Sequence, residues 1–286
     1  DVYKRQLVRS TFEGAAAIVA PPPPQPPAPP TPPPSGGNVL DDAVDSGGGV
    51  DVGATHTLSN GTGDTTVNIP TVDAFGEFRD ADYDPLGAIP SADTTFDSAV
   101  YFRSGSTGTR DELSDVASSA STIRGLPTEA NSTFNVGNLT FTLTQLLEPL
   151  TDPMGVMNGT LLTQSYRITN AGTAQEDFDL VRYMDGDLDF DGSLIDGGGF
   201  FNLPNGDLIL FETDAGGTAT TDTTFLGLTG FGGTITPTDH FSVESCCSFF
   251  VTNGTPLSDA VMNDGDGDGF IDPGQEFDVA LGIRNV

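Results

Sequence analysis

The chain has no tryptophan, two histidines, two cysteines and only ten basic residues in 286. Each scarcity excludes something. The ten Lys and Arg face 41 Asp and Glu, for a formal net charge of −31. Such a surface repels phosphate backbones and anionic headgroups, so neither nucleic acid nor a membrane surface is an expected partner. Cys246 and Cys247 are adjacent and are the only cysteines, so no disulfide framework exists. A bridge between neighbours departs from ordinary disulfide geometry, and free thiols are the expectation. The longest apolar run, GAAAIVA at 14–20, is far too short to cross a bilayer, and no membrane insertion is expected. Nucleophile and phosphate motifs are absent: there is no G-x-S-x-G, no H-E-x-x-H and no P-loop. His240, beside Asp239 and near the two cysteines, matches no standard zinc spacing. The lack of tryptophan removes the commonest plane on which a sugar ring stacks.

What the chain does have is β chemistry. Hydrophobic residues make up 36%, with 19 Phe, enough for a core. The polar remainder is rich in Thr, Ser, Gly and Asp, which disfavour helix interiors and suit strands and turns. Leu139, Phe141 and Leu143 alternate with threonines, and Leu162, Tyr166 and Ile168 alternate with polar residues, the period of half-buried strands. Further strands are expected at 65–69, 178–183, 200–203, 208–211, 224–228, 240–243, 248–252 and 277–283. Asn205-Gly206 supplies a hairpin signal between two of them. Residues 111–124 are the best helix candidate. Many short strands with almost no helix imply an all-β, antiparallel sandwich of immunoglobulin-like or jelly-roll type with long acidic loops.

Residues 1–6, DVYKRQ, match one reading frame of a transposon-end sequencing adapter and are read as an artefact. Residues 7–20 are read as the end of an upstream region. Residues 21–37 are a linker, with eleven prolines in the fourteen residues from Pro21 to Pro34. In polyproline II form, at about 3.1 Å per residue, that run spans roughly 40 Å. Residues 38–286 are the sandwich domain, whose last strand pattern runs to the final residue and is read as cut.

Two loops concentrate the acids. Around the first, VRYMDGDLDFDGSLIDGGGF at 181–200, lie Asp185, Asp187, Asp189, Asp191 and Asp196. Asp187, Asp189, Asp191 and Gly192 reproduce positions 1, 3, 5 and 6 of an EF-hand-type calcium loop, but position 12 is Gly198. In the second, NDGDGDGFIDPGQE at 263–276, Asp264, Asp266, Asp268 and Gly269 fill the same positions. Phe270 offers its carbonyl at 7, Ile271 is apolar at 8, Asp272 stands at 9, Gln275 at 12 and Glu276 one beyond. Hard cations such as Ca²⁺ take six to eight oxygens, and alternate aspartates punctuated by glycine supply them.

This second loop resembles the D-x-D-x-D-G calcium repeats of dockerins and thrombospondin type 3 repeats, over about fourteen residues. The resemblance implies a weak Ca²⁺ site and a secreted or cell-surface, bacterial setting. A strand pattern follows the loop where an EF-hand has a helix. The expected role is a non-catalytic, calcium-stabilised structural or adhesive domain, with extracellular glycan or matrix as partner. The alternative is an extracellular polysaccharide hydrolase that uses Asp and Glu as catalysts.

Overall fold

The computed structural model describes residues 5–14, 55–87, 90–118, 122–203, 208–214, 224–230, 240–247, 249–254 and 256–285. The proline-rich linker and the Asn205-Gly206 turn lie outside them. In the N-terminal half the strands are β1 (Arg5–Gly14), β2 (Thr55–Ser59), β3 (Thr66–Asp73), β4 (Asp82–Asp84), β5 (Ala92–Asp93), β6 (Thr95–Ser104), β7 (Asp111–Glu112), β8 (Thr122–Leu126) and β9 (Glu129–Val136). Then follow β10 (Leu139–Thr151), β11 (Met157–Asn170), β12 (Phe178–Gly186), β13 (Gly197–Asn202), β14 (Leu208–Thr213), β15 (Phe225–Gly230), β16 (His240–Ser245), β17 (Ala260–Val261) and β18 (Val279–Asn285).

These strands build two large layers. One is an eight-stranded sheet, in the order β13-β14-β15-β1-β11-β10-β9-β8. The other is a six-stranded sheet, β17-β16-β18-β12-β6-β7. A smaller sheet, β2-β3-β4-β5, connects to β6 through bridges at Phe78 with Val72 and Ser98. The alternating residues of β10 decide how the layers meet. Leu139, Phe141, Leu143 and Leu147 turn inward while the intervening threonines stay on the wetter face. Across the gap Phe102 of the six-stranded sheet sets its ring edge-on to Phe141, with centroids 6.3 Å apart. A second cluster joins Leu210, Leu226 and Leu228 of one layer to Met184, Leu281 and Ile283 of the other. The all-β sandwich expected from the sequence is the fold.

Strand β12 is buried over nearly its whole length. Its Leu180 and Met184 face the other layer. Val181 and Tyr183, on the opposite face, pack under Val251, Leu257 and Phe250. Two-faced burial explains why VRYM reads as a continuous apolar run broken only by one arginine. That arginine, Arg182, is fully buried. It donates to the Gly76 carbonyl at 3.0 Å and to the Ser98 hydroxyl, and lies 5.6 Å from the centre of the Phe78 ring.

Several local expectations fail. The segment 111–124 holds only one helical turn, α1 (Leu113–Val116), with strands before and after it. Its apolar residues serve sheet packing, with Leu113 buried beside Phe102 and Phe134 in one core cluster. Within 248–252, read as a strand, residues 249–252 form the turn α2 (Phe249–Thr252), which covers the outer face of β12. Cys246 and Cys247, expected as free thiols, are joined in a disulfide. The sandwich is antiparallel except where β1 runs parallel to β11 and β15, and β17 to β16. Residues 5–14, which the sequence reading sets outside the domain, form β1 between β11 and β15. Nothing local reveals this, because the partners lie more than 140 residues away.

Gly76 sits at a tight point. Its φ is +89°, and a Cβ there would strike the Tyr166 hydroxyl and lie 3.1 Å from Nε2 of Gln164. Tyr166 donates to the Phe75 carbonyl at 2.7 Å, and Gln164 donates to the Gly76 carbonyl at 2.8 Å. Gly76→Ala combines a left-handed backbone with the loss of one of these bonds. A cost of about 2 kcal/mol is expected, read as a lower denaturant midpoint with an unchanged slope.

Candidate functional site

The two acidic loops meet at one end of the sandwich. The first leaves the C-terminal end of β12 and returns into β13, whose glycines allow a close backbone approach. The second lies between β17 and β18 and is stitched to that same strand. Phe200 donates its amide to the Gly269 carbonyl at 3.0 Å, and Ile271 donates to the Gly198 carbonyl at 2.9 Å. Asp196 and Phe277 exchange both backbone bonds, at 2.9 and 3.2 Å. A Cβ on Gly199 would collide with the Gly269 carbonyl, so glycine is required for the contact. Ile271 is fully buried in the core, and the Phe270 ring meets Phe201 edge-on at 5.5 Å. These two side chains anchor the second loop while its acids stay outside.

In that loop Asp264, Asp266 and Asp268 bring carboxylate oxygens within 4.8 Å of one another. Asp264 organises the turn. Its Oδ1 accepts the amides of Gly267 (2.7 Å) and Asp268 (3.1 Å), and its Oδ2 accepts the amide of Gly269 (3.0 Å). Asp268 Oδ1 accepts from the Phe270 amide at 3.0 Å, and Asp272 Oδ2 accepts from the Gly265 amide at 3.0 Å. The position-12 region turns elsewhere. Gln275 donates to the Gly274 carbonyl at 3.1 Å, and Glu276 accepts the Gly274 amide at 2.9 Å. Neither closes over the aspartate triple. Among the described residues no ion pair reaches Asp264, Asp266 or Asp268.

The first loop is arranged differently. Asp187 is half-buried, Asp189 and Asp191 are exposed, and among the described residues these three form no group with ligand atoms so close. Asp185 is buried on the outer face of β12, where it accepts from the Tyr183 hydroxyl at 2.9 Å. Its oxygens also approach the sulfurs of Cys246 and Cys247, which are tied up in their disulfide and make no thiolate ligand. Asp196 is buried at the mouth of β13. The loop is held by Asp214, whose Oδ1 accepts the amides of Phe190 at 2.8 Å and Asp191 at 3.2 Å. Five aspartates contiguous in sequence thus serve at least three environments.

Three acids missed by motif reading complete this end: Glu212, Asp214 and Asp278. Glu212 follows Leu210 on the inward face of β14, an acid at a core position, and that alternation is a signal in the sequence. Its carboxylate rests against Gly186, where a Cβ would overlap it. Burial, reinforced by neighbouring acids, raises Asp185 to about 7 and Asp187 to about 6. Burial likewise takes Asp196 to about 8 and lifts Glu212 well above the carboxylate range, with Asp196 beside it as the next cause. Asp214 and Asp278 are also raised by burial.

No protein-family model matches the chain, and no curated protein matches it.

Proposed function

We propose that the chain is a calcium-stabilised, non-catalytic β-domain with a structural or adhesive task in a secreted or cell-surface protein. The observation that carries the calcium reading is the convergence of Asp264, Asp266 and Asp268 on one exposed point without a basic partner. Three mutually repelling carboxylates held together call for a countercharge, and their all-oxygen character suits a hard cation. The Phe270 carbonyl and Asp272 lie in the same turn and would supplement them. With no acid closing over the loop, the affinity expected is that of extracellular modules, a Kd of about 10⁻⁴–10⁻³ M.

The loop is bonded along β13, so a cation bound there tightens the backbone of the sandwich itself. This supports a stabilising role. The dense aspartate surface suits calcium-rich surroundings, which supports the extracellular setting, with glycan or matrix as the partner. Asp264→Asn together with Asp266→Asn is expected to abolish calcium binding at this loop and leave the fold intact. Equilibrium dialysis against calcium checks it, and a double variant that binds as wild type does would sink the reading. Incubation with cell-wall and marine polysaccharides, scored for retention and for new reducing ends, separates adhesion from hydrolysis.

A further inference from the structure

Glu212 is the most unusual carboxylate in the molecule. It is 0% exposed, and beyond the Asp196 carboxyl and the Leu188 amide, which approach it, neither of its oxygens meets a hydrogen-bond donor. Asp196, 1% exposed, leaves its Oδ1 without one. The two belong to neighbouring strands: Glu212 lies opposite Gly198 in the β13–β14 ladder, and Asp196 is two residues before that glycine, on the same inward face. With no side chain at Gly198, nothing separates them. Gly186 of the opposite layer faces the Glu212 carboxyl, and Leu188, fully buried, brings its backbone amide toward it.

One other buried acid is paired with cations, which shows how the fold neutralises a buried carboxylate elsewhere. Asp179 is held by Arg103 and Arg110. Among the described residues no ion pair reaches Glu212 or Asp196, and the charges that bear on them are Asp185, Asp191, Asp214 and Asp278, all acidic. An ionised carboxylate buried without a countercharge costs several kcal/mol. Two protons would also neutralise the pair, but they leave its remaining acceptor oxygens without donors. One divalent cation neutralises the pair and also engages the oxygens that no donor reaches.

We infer that Glu212 and Asp196 form a buried seat for one calcium-class divalent cation between the two layers, separate from the Asp264–Asp268 loop. Two carboxylates provide up to four oxygens, and the surrounding backbone carbonyls or a water complete the shell. Calcium fits better than magnesium, which dehydrates reluctantly and demands a strict octahedron, and better than zinc, for which no nitrogen or thiolate is at hand. Asp185 takes no part, since it lies on the other face of β12 with Tyr183. The inference shares with the proposed function the premise that the domain binds calcium.

The test is a count of bound calcium on chelator-stripped full-length chain by equilibrium dialysis. Wild type is expected to bind two equivalents. Glu212→Gln, which keeps the shape of the side chain, is expected to bind one, and the Asp264→Asn/Asp266→Asn variant is expected to bind the other one. If Glu212→Gln still binds two, the buried pair holds protons and the inference falls. Should Glu212→Gln fail to fold, the loop variant decides: one remaining equivalent supports the buried seat and none overturns it. A wild type with a single equivalent, lost with the loop aspartates, leaves the proposed function standing and removes this site. A wild type that binds none removes both.

Discussion

Asp179→Ala is expected to destabilise the domain by about 3–5 kcal/mol. Asp179 is the shared counterion of two arginines. Arg103 binds its Oδ2, and Arg110 donates to Oδ1 and Oδ2, each at 3.2 Å. All three side chains are nearly inaccessible, at 6%, 0% and 3% for Arg103, Arg110 and Asp179. The guanidiniums also organise the covering segment. Arg110 donates to the Val251 carbonyl at 2.9 Å and Arg103 to the Gly254 carbonyl at 2.5 Å. Removing the acid leaves two buried positive charges without their shared counterion. For a chain of this size the loss corresponds to a fall in Tm of roughly 6–12 °C. Thermal melts of wild type and variant check it, and a change under 1 kcal/mol would show that water reaches these arginines.

Chelation is expected to lower Tm by about 5–10 °C relative to saturating calcium. A cation at one hundred times its Kd stabilises a fold by about 2.7 kcal/mol, and for the affinity expected at the second loop that means about 10–100 mM free calcium. The acidic end of the sandwich is where the effect should originate, because the second loop is bonded to β13 and the first loop returns into the same strand. Differential scanning calorimetry with calcium, with magnesium and with chelator checks it. Equal Tm in all three conditions would exclude calcium as a structural component. Magnesium matching calcium would place the effect in general charge screening of a −31 chain.

The legible part of the fold was whatever has period two. Leu139 to Thr144 and Leu162 to Thr169 sit within β10 and β11, and the segments flanking Asn205-Gly206 pair as β13 and β14. Residues 111–124 misled because Leu113, Val116 and Ile123 recur at helical spacings of three and seven, yet the helix ends at Val116 and Ile123 belongs to strand β8. In the candidate site, the aspartate triple at 264–268 was readable because its carboxylates belong to a local motif of one turn. The matching triple at 187–191 has the same spacing and does not converge. Asp214 draws the amides of Phe190 and Asp191 toward itself and splays that loop.

Composition and periodicity alone were enough to make this an acidic, nearly helix-free β-protein with two aspartate-rich loops, because alternation and Asx turns act over a few residues. Everything that depends on distant strands had to wait for the folded chain. Sheet pairing places β1 between β11 and β15, and brings loop 263–276 onto β13. It also sets Glu212 beside Asp196 and gives Asp179 its two arginines. A carboxylate's role follows from what surrounds it, and for these acids the neighbours come from strands that only the layering of the sandwich puts in reach.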